Sequence, residues 1–85
     1  MTVKIGKFDG SDVAAVYVND EHVGDVLRHA DNRRVVWYQA FIWTSSVADD
    51  VVLTEDVRDR SGVQLQTPTR ARQQLRRRIS EHFAA

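Results

Sequence analysis

Arg70, Arg72, Arg76, Arg77 and Arg78 crowd into the C-terminal part of an 85-residue chain, where Glu81 is the one acid among residues 67–85. A guanidinium group matches phosphate oxygens in a two-pronged fork, so a helix carrying several can lie along a nucleic-acid backbone. Residues 67–85 hold a net charge of +4 and residues 1–66 a net of −4, although the whole chain sums to zero. That split points either to a footprint for a polyanion or to a self-complementary protein surface. The ordinary reading of such a run is solvation of an amphipathic helix, with pairing to acids such as Asp49, Asp50, Glu55, Asp56 or Asp59. Arg33 and Arg34, at the start of an apolar run, are the other candidate phosphate contacts.

That apolar run is the second feature. Residues 35–43 read Val, Val, Trp, Tyr, Gln, Ala, Phe, Ile, Trp. Aromatic side chains on an open sheet can stack on bases, but they do so beside basic neighbours, and here the neighbours are apolar. Core packing is therefore the better reading. If a single helix covers one face only, however, the aromatics of the other face form a patch that needs a partner.

Other chemistry is poorly supported. His22, His29 and His82 lack the spacing of a zinc site and have no cysteine companions, since the chain has no cysteine. The acids at 49–59 lack the alternating ligands and sharp-turn glycine of a calcium loop. Gly6 to Gly10 has neither the spacing of a phosphate loop nor a lysine and helix after it. Ser45, His29 and an aspartate make a triad on paper only, with no local signature. A single domain of this length also has too few residues to wall a deep substrate cavity. The expectation is a non-enzymatic binding module without metal or cofactor, taking DNA or RNA, or else a protein partner or a second copy of itself. With neither an apolar leader nor a membrane-length apolar stretch, the sequence reads as soluble and cytoplasmic.

The elements that must position these residues follow from periodicity. Val3 and Ile5 alternate with Lys4 in a first strand, and residues 14–18 form a second. Asn19 and Asp20 tolerate the left-handed backbone of a two-residue hairpin turn. Residues 21–27 return, with Gly24 marking a bulge or a close backbone approach. A polar loop is expected over 28–34, then a strand over 35–43 with Trp37, Phe41 and Trp43 on one face and Tyr38, Ala40 and Ile42 on the other. Ser46 with Asp49 could open a short helix; the preferred reading is a strand over 51–53 before a long charged loop, and residues 63–66 read as a short last strand. Thr67 is a good N-cap, Pro68 fits the first helical position, and Ala71, Leu75, Ile79 and Phe83 make one apolar stripe. A single α+β domain over 1–85 results: an antiparallel sheet of four to five strands over 2–66, with a C-terminal helix over 67–83 packed on one face.

Residues 16–26, from Val16 and Tyr17 through Asn19 and Asp20 to Gly24 and Val26, resemble the opening hairpin of small uncharacterised proteins of actinobacteria and their phages. Thr67, Ala71 and Leu75 resemble the helix start that closes them. Strands followed by one helix are also similar in order to AP2-type and integrase N-terminal DNA-binding domains. Those lay a three-stranded sheet in the major groove with the helix behind it. In this sequence the first hairpin carries Asp20, Glu21 and Asp25, so the resemblance implies DNA binding while Arg28, Arg33, Arg34 and the helix supply the cations. A phage or mobile-element regulator that docks on a protein is the alternative role.

Overall fold

Alternating apolar residues give the sheet its two faces. The computed structural model describes residues 1–43 and 51–84. Five antiparallel strands run in sequence order: β1 (Val3–Ile5), β2 (Val13–Val18), β3 (Glu21–Asp31), β4 (Arg34–Ile42) and β5 (Val51–Asp56). One helix, α1 (Pro68–Ala84), packs against β1, β4 and β5. The chain is an α+β protein, an open five-stranded meander with one helix across it. The strand expected over 51–53 is present as β5, which runs on to Asp56; residues 44–50 lie outside the described residues.

The face toward α1 is apolar. Val16, Val26, Tyr38, Ala40 and Ile42 are fully buried there with Leu75 and Ile79 of the helix. Two hairpin turns set the register. Asn19 and Asp20 have φ of 49° and 66°, and Asn32 and Arg33 have φ of 48° and 65°. Positive φ at both central residues is the two-residue geometry that matches the twist of paired strands. The second turn corrects one expectation: residues 28–34 are no polar loop. Arg28 and His29 are strand residues, paired in register with Tyr38 and Trp37. Their polarity is accommodated because Arg28 lies over the Phe8 ring and bonds Asp12, while His29 stacks on Trp37 at 4.0 Å.

Residues 63–66 also depart from expectation. They alternate like a strand, but only an isolated bridge joins Gln64 to Arg58, and Val63 and Leu65 stay exposed. Asp59 organises this segment instead. Its carboxylate accepts hydrogen bonds from the Ser61 hydroxyl and from the amides of Ser61 and Val63. The turn closes over Val57, which is buried in the core.

Gly24 faces the same core on β3. A Cβ built there would lie 2.1 Å from the Phe41 carbonyl oxygen, so the strands approach too closely for any side chain. Gly24→Ala is expected to lower stability by about 2–3 kcal/mol through overpacking, measured as a shift in the urea midpoint. The Asp59 carboxyl is held below its usual 3.8, chiefly by the Ser61 hydroxyl and then by the Val63 amide. A lowered folded-state value stabilises the protein above the ordinary carboxylate range, and the contribution disappears as pH falls through the lowered value. Asp59→Asn should therefore flatten the acid limb of the stability profile below about pH 4, read by thermal melts across pH.

Candidate nucleic-acid interface

Where each arginine points depends on the rotation of the helix about its own axis. The Thr67 hydroxyl accepts from the Arg70 amide at 3.1 Å, an N-cap that starts the helix at Pro68. Ala71, Leu75 and Ile79 then face the sheet. Arg72 donates to the Tyr38 hydroxyl at 2.8 Å. Tyr38 is fully buried, and a buried phenol needs such a partner. On the opposite flank Arg78 donates to the Thr54 carbonyl and to the Glu55 carboxylate at 2.9 Å.

The helix therefore has two unlike flanks. On the β5 side, Arg70 and Gln74 share a shallow cleft with Thr54, Glu55 and Asp56. Arg78 pairs with Glu55, as the solvation reading expected, and Arg70 lies in a cleft that also holds Glu55 and Asp56. On the β1 side, Thr69, Arg72, Gln73 and Arg76 line a cleft of about 520 Å³ with residues 5–9 and Arg28. Lys7, Arg28, Arg72 and Arg76 bring four cations into it, and Asp9 is its one acid. Beyond it, Arg76 and Arg77 border a second depression against residues 1–3. Arg77 also bonds Glu81 at 3.2 Å across a largely exposed pair, a contact of little energetic weight.

Of the six candidate phosphate contacts, the structure brings Arg72, Arg76 and Arg77 onto one flank and leaves the rest elsewhere. Arg70 is on the acidic flank. Arg33 occupies the tip of the β3–β4 turn, and Arg34 lies beside Arg58 and Arg60 around a separate hollow that also holds Asp31 and Asp59. Lys7 and Arg28 were not singled out together by the sequence. Continuing the alternation of Val3 and Ile5, and of Val26, does place both on the helix side of the sheet.

Among the described residues, no helix lies over the other sheet face. Register aligns Ala15, Asp25, Phe41 and Val52 in one row, and Val13, Leu27, Gln39 and Thr54 in the next. His29, Trp37 and Asp56 form a third. At one end His22 sits between Tyr17 and Trp43, with ring centroids 5.3 and 5.0 Å away. The two middle rows hold one acid and no base, which does not suit a sheet laid into a DNA groove.

Among the described residues, no group of three or more His, Cys, Asp or Glu converges as metal ligands would. No described helix is long and apolar enough to cross a membrane. No family model, curated protein or solved structure matches this chain.

Arg78 should prove structural. Arg78→Met is expected to cost about 1 kcal/mol by removing bonds to Thr54 and Glu55, measured by chemical denaturation, with no change in affinity for polyanions.

Proposed function

We propose that this protein is a non-enzymatic module that binds nucleic acid through its phosphate backbone, using the flank of α1 that lies along β1. One observation carries the reading: Lys7, Arg28, Arg72 and Arg76, from three separate parts of the chain, converge on one cleft with Asp9 as the single acid. Arg77 extends the positive strip along the helix. Arg72 and Arg28 are held by Tyr38 and Asp12, so two of the cations are pre-positioned and lose little side-chain freedom on binding. Arg76 and Lys7 are exposed and free to follow phosphates. Such contacts position a backbone without reading bases, so the expected binding has little sequence preference.

The test is anisotropy of labelled duplex DNA, single strands and RNA across salt concentration. Four neutralised phosphates predict a log–log salt slope of about −3 to −4. The double variant Lys7→Glu and Arg76→Glu should reduce the slope by roughly 2 and abolish binding at moderate salt. Arg33→Glu with Arg34→Glu should leave both nearly unchanged. Wild-type binding that is indifferent to salt, or equally lost in both double variants, would remove this proposal.

A further inference from the structure

We infer that the basic groove between β1 and α1 selects single-stranded nucleic acid over duplex, a selectivity that rests on the phosphate-binding reading above. The cleft that holds Lys7 and the depression beside residues 1–3 share Gln73 and Arg76 in their walls, so together they make one continuous groove. Its helix wall runs from Thr69 to Ser80, about 17 Å at the rise of an α-helix. That length matches about five phosphates of one strand at roughly 3.4 Å apiece, and fewer when the strand is stretched.

Three observations favour a single strand. Depth is the first. Arg28 has a side chain only 31% exposed, and Arg72 reaches down to the buried Tyr38 hydroxyl. Lys7, Arg76 and Arg77 are exposed. A duplex holds its phosphates on the outside of a stiff rod, so it meets the exposed three at the rim and bridges over the recessed pair. A single strand bends enough to sink to them.

A stacking surface inside the cleft is the second. The Arg28 guanidinium sits 4.8 Å over the ring of Phe8, which is half-buried in the same wall. Asp12 and the Ser11 carbonyl accept from Nε and one terminal nitrogen of Arg28 and so hold its plane. Unstacked bases lie on arginine planes and aromatic rings, whereas the bases of a duplex are already stacked on one another.

The edge of β1 is the third. The Asn19 amide bonds the Thr2 carbonyl and the Gly6 amide bonds the Ala15 carbonyl, with Lys4 opposite Tyr17 between them. The alternation of an antiparallel ladder then turns the N–H and C=O groups of Val3 and Ile5 away from β2. Among the described residues, no hydrogen bond engages these four groups. Both residues border the groove, where their backbone can meet the base edges that a duplex would keep paired.

An acidic extended peptide is the competing occupant, since it too would find cations and a strand edge. The Arg28 and Phe8 stack decides against it, because aspartate and glutamate bring no π face to lay there.

The test is competition anisotropy at low salt with an oligonucleotide of about 16 residues without self-complementarity, alone and annealed to its complement, and with polyglutamate as a third competitor. The single strand should bind more tightly than the duplex by about tenfold or more, the worth of one stacked base. Arg28→Lys, confirmed as folded by circular dichroism, keeps the charge but loses the plane, and should bring the two within about threefold of each other. Equal affinity, or a preference for duplex, overturns the inference while phosphate binding stands. A ratio unmoved by Arg28→Lys overturns it as well, as does polyglutamate that competes equally at matched charge, since charge alone would then explain the binding. No binding of any nucleic acid at low salt removes the phosphate-binding reading and this selectivity with it.

Discussion

The Tyr38 hydroxyl is the polar point on which the packing turns. Its ring is fully buried under the helix with Phe8 at 5.9 Å, so its oxygen is out of reach of water and depends on Arg72. A hydrogen bond from a charged donor is worth about 1.5–3 kcal/mol, and an unpaired phenol would cost a similar amount. The bond also fixes an angle. With Arg72 turned down to Tyr38, the stripe of Ala71, Leu75 and Ile79 must face the sheet, and the remaining arginines are distributed around the helix by its 3.6-residue turn.

That distribution separates arginines of identical chemistry into different roles. Arg78 reaches Glu55 and the edge of β5, where it serves the fold. Arg76, two positions earlier, projects into the basic cleft beside Lys7 and Arg28. Net charge alone does not separate these cases: on one flank the basic segment meets the acids of β5, Glu55 pairing with Arg78, and on the other it is reinforced by Lys7 and Arg28. A cleft with a surplus of one sign of charge, here four cations against Asp9, favours a polyanion, whereas mixed charge on the opposite flank favours pairing within the protein.

The same helix leaves the sheet half covered. A five-stranded sheet buries both faces only if something lies on each, and one 17-residue helix can span one. The chain meets the exposed face with alternating polar groups, Asp25, Gln39 and Thr54, among its aromatics. That mixture intersperses polar groups with the exposed Val13, Tyr17, Trp43 and Val52.

Much of the fold was legible because it rests on local rules. The left-handed preference of Asn19 and Asp20, the Thr67 cap with Pro68 after it, the four-residue spacing of the stripe and the two faces of β4 each depend on residues near in sequence. Reading failed at residues 28–34 and 63–66, where polarity or alternation was outweighed by distant partners. Arg28 and His29 sit in a strand because Phe8, Asp12 and Trp37 receive them. Val63 and Leu65 bond only Asp59 and Val57 around a single bridge and form no longer strand, because Asp59 closes a turn first. By itself, then, the sequence determined most of the elements, the core stripe and a basic C-terminal helix. Only tertiary structure decided which arginines stand free, since that depends on which acids, carbonyls and cations of remote strands come within a few ångströms of each, and Coulomb attraction and hydrogen bonding act on distance in space and not along the chain.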